Sequence, residues 1–255
     1  MNFLHRQHLC APRTLWIALS LSAVLIAQAR ADEAEIRKNF VAHAPQIASK
    51  IDEIRPTPMA GLYEVRVAGT NIFYTDGQGR YALQGNLLDL RAGRDLTQER
   101  IDKLTAVAFD KLPVRDAIKI VRGNGKRQLA VFEDPNCPYC KQFEKDLQRI
   151  DNVTVYLFLY PILGTDSTAK ARNIWCAKDR LQSWNNWMQN HIAPPAGVSG
   201  CDARALGRNI EFGQKHNITG TPTVLFADGS RAPGALPAAQ IEQQLNAAQA
   251  PAKAR

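Results

Sequence analysis

Gln128-Leu129-Ala130-Val131-Phe132 leads through Glu133-Asp134-Pro135-Asn136 into Cys137-Pro138-Tyr139-Cys140, and Phe143, Leu147 and Ile150 follow at helical spacing. The apolar run reads as a strand, and the residues after it as a turn and a helix that starts near Cys137. A helix N-terminus offers unpaired N–H groups and a partial positive charge, both of which favour thiolate over thiol. Cys137 is therefore the expected attacking sulfur. Cys140 falls about one turn later on the same face, placed to resolve a mixed disulfide formed at Cys137. Pro138 fits the first helical turn, where a missing N–H costs nothing. Glu133 and Asp134 read as solvated turn residues that oppose the thiolate slightly at most.

A lone C-x-x-C could also be half of a zinc site or a coincidence. Zinc usually takes a second close ligand pair. Cys176 and Cys201 are too far apart to supply one, no H-x₃₋₅-H is present, and only His191 stands as a third ligand. Haem attachment requires a histidine where Lys141 stands. The strand–turn–helix setting favours a dithiol redox centre, whose chemistry requires no metal and no small-molecule cofactor.

Further along, Val153-Thr154-Val155-Tyr156-Leu157-Phe158 is β-rich. With the intervening helix it predicts a βαβ unit, hence a parallel pair. Asp166 to about Gln189 has a helical pattern, as does Ala203 to His216. Thr223-Val224-Leu225-Phe226 and Asp228-Gly229 predict a strand and turn, and Pro237 opens a C-terminal helix with Ile241 and Leu245 on one face. Thr221-Pro222 stands immediately before that strand. The proline is either a plain strand-entry residue or a cis-proline that leaves neighbouring backbone groups free to pair with a substrate strand.

Upstream, Ala117-Ile118-Lys119-Ile120-Val121 and the run at Gln128 flank a Gly-rich turn. Ala34 to Ile51 and Leu96 to Phe109 have helical spacing. Leu62 to Val67 alternates as a half-buried strand does, and Asp76-Gly77-Gln78-Gly79 marks a hairpin between two short β runs. The unit from 32 to about 95 is small, with few large apolar side chains and no cysteine. Its core is marginal alone, which favours a dimerisation module over a catalytic one.

Residues 1–31 carry the features of a cleaved secretory signal: Arg6 and Arg13 without acids, an apolar run from Leu15 to Ala29, and Ala29-Arg30-Ala31 as the cleavage site. Losing its three arginines lowers the formal net charge from +8 to +5. No Lys/Arg cluster dense enough for a nucleic-acid site is present, so a nucleic-acid partner is not expected. Cys10 leaves with the signal, and the four remaining cysteines suit an oxidising compartment and one or two disulfides.

Phe132 to Cys140, the run Ile174-Trp175-Cys176-Ala177-Lys178-Asp179, Thr221-Pro222, Pro58-Met59-Ala60-Gly61 and the small N-terminal module together resemble the periplasmic DsbC/DsbG disulfide isomerases of the thioredoxin superfamily. The resemblance covers nearly the whole chain after the signal. It implies an α/β (α+β overall) protein with a cystatin-like dimerisation domain at 32–95, a linker helix at 96–112, and a thioredoxin-like catalytic domain with a helical insertion at 113–255. It places the nucleophile on Cys137, the resolving thiol on Cys140, the cis-Pro loop on Thr221-Pro222 and a structural disulfide on Cys176–Cys201; two buried free thiols are the alternative there. Pro138 and Tyr139 are expected to meet substrate, Tyr139 in an apolar docking rim. Pro138-Tyr139 between the cysteines matches DsbG, whereas the Cys176/Cys201 pair matches DsbC.

The expected activity is isomerisation or reduction of incorrect disulfides in misfolded exported proteins by a periplasmic homodimer. A membrane electron donor of the DsbD type would keep the dithiol reduced. A DsbG-like sulfenic-acid reductase and a holdase chaperone are the rival readings, and a DsbA-like monomeric oxidant is disfavoured by the extra N-terminal module.

Overall fold

A computed structural model describes residues 32–249. The signal segment expected at 1–31 lies outside the described residues. The chain divides into two units, the first running to Ile101 and the second from Asp102.

In the first unit, residues 32–43 form helix α1, and Pro45–Ala48 adds one further turn, α2. The helical spacing expected through Ile51 stops there, because Ile51 begins strand β1 (Ile51–Pro56). Strands β2 (Leu62–Val67), β3 (Asn71–Asp76) and β4 (Ala82–Leu83) follow in a fully antiparallel sheet of order β1-β2-β3-β4. Ile36 and Phe40, one turn apart on α1, pack on Ile54, Val65 and Val67 from alternate positions of the strands. Gly79 in the β3–β4 hairpin has φ +69, and a Cβ there would lie 2.9 Å from the Ile36 Cα. Only glycine lets the turn come this close to the helix. Leu88–Asp89 (β5) and Arg94–Asp95 (β6) form a small separate hairpin that leads into α3 (Leu96–Thr105). Arg100 of α3 reaches back to the sheet, pairing with buried Glu64 (2.9 Å) and with Glu53 (2.5 Å).

The helix expected from Leu96 to Phe109 ends at Thr105. Val107 is buried, and its N–H bonds to the Gly229 carbonyl (3.2 Å) instead of to the preceding turn. Short 3₁₀ turns at Phe109–Lys111 and Val114–Asp116 then lead to the sheet of the second unit.

That unit is built on a five-stranded sheet of order β11-β10-β8-β9-β7. Its strands are β7 (Ile118–Arg122), β8 (Arg127–Glu133), β9 (Val153–Leu159), β10 (Thr223–Phe226) and β11 (Arg231–Pro233). β8 and β9 are parallel, as the βαβ pattern predicts, and the other pairs are antiparallel. The strands at 118 and 128 do not pair with each other: β9 lies between β8 and β7.

The central strands carry apolar residues on both faces because both faces are covered. Leu129, Val131, Val155, Leu157 and Val224 face one core with α4 (Pro138–Leu147), α5 (Thr165–Trp175), α6 (Arg180–Asn190) and α8 (Ala238–Ala247). Ala130, Phe132, Phe158 and Leu225 face the other, where Phe132 stacks on Phe158 (4.6 Å between centroids) and on Phe212 of α7 (Arg204–Lys215; 5.8 Å). The helical stretch expected from Asp166 to Gln189 is two helices, broken at Cys176–Asp179. Asp179 caps α6 by accepting from the Gln182 N–H (2.9 Å). Cys176 at the end of α5 is disulfide-bonded to Cys201, closing a loop with a sequence separation of 25.

Candidate active site

β8 ends at Glu133, and Asp134-Pro135-Asn136 turns the chain into α4 with Cys137 at its N-cap and Pro138 in the first turn. Asp134 builds the turn. Its carboxylate accepts from the Asn136 N–H (2.7 Å), the Ser167 hydroxyl (2.7 Å) and the Leu163 N–H (2.9 Å), while its carbonyl accepts from the Cys137 N–H (3.0 Å). A buried carboxylate with every contact a donor is a rigid anchor for the two segments it joins. Trp187 of α6 adds a second clamp, donating its indole N–H to the Pro135 carbonyl (2.5 Å).

Cys137 and Cys140 are both free thiols. Cys137 is pulled down to about 6, first by a hydrogen bond from the Cys140 thiol. Burial opposes this, and the Thr221 side chain and the N–H groups of Cys140 and Tyr139 support it. The Cys137 Sγ also lies 3.1 Å from the Thr221 carbonyl. A carbonyl only accepts, so that contact favours the thiol; the donors at the helix start outweigh it. Cys140 is fully buried, and burial, the Cys137 sulfur and the neighbouring Glu133 push its thiol far up. The two sulfurs are thus split into an acidic thiol and a thiol held protonated.

Other expected site residues fall where the sequence put them in the chain but in unequal settings. Thr221-Pro222 is a cis peptide bond beside Cys137. Tyr139 is 69% exposed at the helix start, next to exposed Pro138. Cys176 and Cys201 bond to each other and take no part in the dithiol. Among the described residues, no group of three or more His, Cys, Asp and Glu side chains is disposed to hold a metal ion.

The reading of Glu133 and Asp134 as solvated turn residues is wrong: both are 0% exposed. The turn begins only after the strand has carried Glu133 into the interior, and Asp134 spends its carboxylate on backbone and Ser167 donors. Glu133 meets a second buried acid, Glu144 of α4, whose Oε1 accepts from the Trp184 indole N–H (2.9 Å). Both Glu133 oxygens and the Glu144 Oε2 lack a partner at hydrogen-bond distance, although Glu133, Glu144 and the Cys140 thiol are neighbours. Burial, then the neighbouring Glu144, drives the Glu133 carboxyl well above the usual carboxylate range, and burial also raises Glu144. The arrangement can store a proton directly behind Cys140. Glu144 had a signal in the sequence, since it shares a helical face with Cys140, Phe143 and Leu147. An acid on the apolar face of α4 is the anomaly that marks it.

The geometry can be set beside known proteins. Residues 114–249 match a family model described as a thioredoxin-like domain, and residues 27–98 match the disulfide bond isomerase protein N-terminal domain. The chain is 45% identical over 195 residues to a probable thiol:disulfide interchange protein DsbC of Bordetella parapertussis, covering 76% of this chain and 68% of that one. It is 24% identical over 235 residues to the thiol:disulfide interchange protein DsbC of Escherichia coli K12, covering 91% and 94%. Among solved structures, a disulfide interchange protein from Neisseria gonorrhoeae is similar with a TM-score of 0.51 and 38% identity, over 54% of this chain and 99% of that one. A dithiol at a helix start, on a thioredoxin-like sheet and behind an N-terminal domain of this kind, places the chain in the DsbC-type family of thiol:disulfide interchange proteins within the thioredoxin superfamily.

Proposed function

We propose that the protein isomerises or reduces incorrect disulfides in exported proteins, with Cys137 as nucleophile and Cys140 as resolving thiol. The observation that carries this reading is the placement of two free thiols at one helix start, Cys137 at the N-cap beside Thr221 and Cys140 fully buried one turn on. The Cys137 thiolate attacks one sulfur of a substrate disulfide; that S–S bond breaks, a substrate thiolate leaves, and a mixed disulfide forms. If another substrate thiolate attacks the substrate sulfur, Cys137 is released unchanged in oxidation state and the disulfide has moved. If Cys140 attacks the Cys137 sulfur, two electrons pass to the substrate and a Cys137–Cys140 disulfide remains. In that branch the Cys140 proton goes to whichever carboxyl of the Glu133/Glu144 pair is ionised. The branch then requires an external dithiol reductant, for which a membrane donor of the DsbD type is the expected source.

Thr221-Pro222 beside Cys137, with exposed Pro138 and Tyr139, is the proposed seat of the substrate segment. The match of 27–98 to the isomerase N-terminal domain supports residues 32–95 as a dimerisation module, 96–112 as a linker and 113–255 as the catalytic domain of a homodimer. The secretory features of 1–31 support a periplasmic location.

Trapping tests the assignment. A Cys140→Ser variant, incubated with a protein carrying scrambled disulfides, should accumulate mixed disulfides that non-reducing peptide mapping places on Cys137. Absence of adducts, or adducts elsewhere in the chain, would refute it.

A further inference from the structure

Lys141 follows the resolving cysteine, and the sulfur chemistry described above does not use it. Its Nζ sits 4.1 Å from the centroid of the Trp187 ring, and the Nζ of Lys170 from α5 sits 4.7 Å from the same centroid. Two ammonium groups thus share one indole, whose N–H is fixed on the Pro135 carbonyl two residues before Cys137. Lys170 is paired with Asp166, which also accepts from the Asn136 side chain (2.6 Å). Lys141 has no carboxylate within ion-pair distance among the described residues; its polar neighbour is the His191 Nδ1 at 3.1 Å. Burial and the charge of Lys170 both act against its protonation. Holding two partly buried cations together is unfavourable unless something offsets it. The indole offsets part through cation–π attraction. The groups that lower Cys137 are the Cys140 thiol, Thr221 and the backbone N–H groups, and the two lysines are not among them.

We propose that Lys141 and Lys170 on Trp187 form an anion subsite that selects disulfide segments carrying an acidic side chain next to the half-cystine. The inference rests on Cys137 being the nucleophile. A substrate strand laid across the helix start would bring a flanking Glu or Asp over the one cation that lacks a counter-ion. The carboxylate would be held while Cys137 attacks, and the same field would disfavour a Lys or Arg there.

The test is the second-order rate constant for mixed-disulfide formation between the reduced protein and three peptide disulfides, identical except for Glu, Gln or Lys beside the half-cystine. The Glu peptide should react roughly five- to tenfold faster than the Lys peptide at low ionic strength, with Gln between them. Raising the salt to about 0.5 M should collapse the ratio toward one, because exposed charges are then screened. Lys141→Gln should collapse it at low salt, while Lys141→Arg retains it and the Cys137 thiolate absorbance titrates at an unchanged pH in both. Equal rates for the three peptides, or a ratio that survives Lys141→Gln, would overturn the anion subsite and leave the nucleophile in place. Failure of all three peptides to react at Cys137 would overturn the nucleophile and the subsite together.

Discussion

Glu133→Gln separates the cost of the buried acid from its use. Glu133 is fully buried, with Glu144 and the Cys140 thiol beside it. The unfolded chain loses the Glu133 proton near the ordinary value of 4.5, whereas the folded chain keeps it well above that. From about pH 4.5 up to the raised native value, the folded state therefore holds one more proton than the unfolded state. Stability must fall with pH across that window, by about 1.4 kcal/mol per pH unit. Glutamine occupies nearly the same volume and does not titrate. The variant should match the wild type near pH 4.5 and then gain about 1.4 kcal/mol on it for each further pH unit within the window.

Urea unfolding of both proteins in the dithiol state, at half-unit pH steps, measures this difference directly. The Cys137 titration is common to both and cancels. Parallel stability curves, or a variant that loses ground as pH rises, would refute a buried neutral carboxyl. The same substitution removes one carboxyl of the pair proposed to receive the Cys140 proton, which takes it only when ionised, so above the raised native value release of a mixed disulfide by Cys140 should slow on the order of 10²-fold in single-turnover measurements. A variant that is both more stable and slower would explain why the acid is retained.

Alkylation of reduced protein should show Cys137 reactivity rising with pH through a midpoint of about 6, with Cys140 unmodified over the same range, as read by mass spectrometry of tryptic peptides. Replacing Cys176 and Cys201 by Ala should lower stability by about 3 kcal/mol in urea unfolding, from loss of a loop constraint at separation 25. Gly213→Ala would put a Cβ 2.5 Å from the Tyr160 ring, whose hydroxyl bonds to the Ile218 carbonyl (2.8 Å). That overpacking should cost about 1–3 kcal/mol by thermal or urea unfolding.

The catalytic sheet was legible because its strands are continuous apolar runs and its turn motif carries two thiols at one helix start. Register and neighbours were not: nothing local says that β9 inserts between β7 and β8. Boundaries failed where a long-range contact beat helical periodicity. Ile51 went to the sheet instead of extending α1, and Val107 gave its N–H to Gly229 instead of to α3. The short hairpin of β5 and β6 carries too few residues to show an alternating pattern. In the site, the cysteines announced themselves by spacing. Glu133, Asp134 and Trp187 did not, because their roles come from burial and from distant partners, whereas Glu144 was marked as an acid on the apolar face of α4. Polar residues beside a turn are ordinarily solvated, and here the fold encloses them.

Cys137 is proposed to rearrange disulfides in a misfolded partner. Reactivation of scrambled ribonuclease A by the wild-type protein, by Cys137→Ala and by Cys140→Ala tests this most directly. Strong reactivation is expected from the wild type and none from Cys137→Ala. Cys140→Ala should retain rearrangement while accumulating mixed disulfides, since substrate thiolates can still release Cys137. Full reactivation by Cys137→Ala, or none by the wild type, would contradict the account and leave a holding chaperone or a sulfenic-acid reductase in its place.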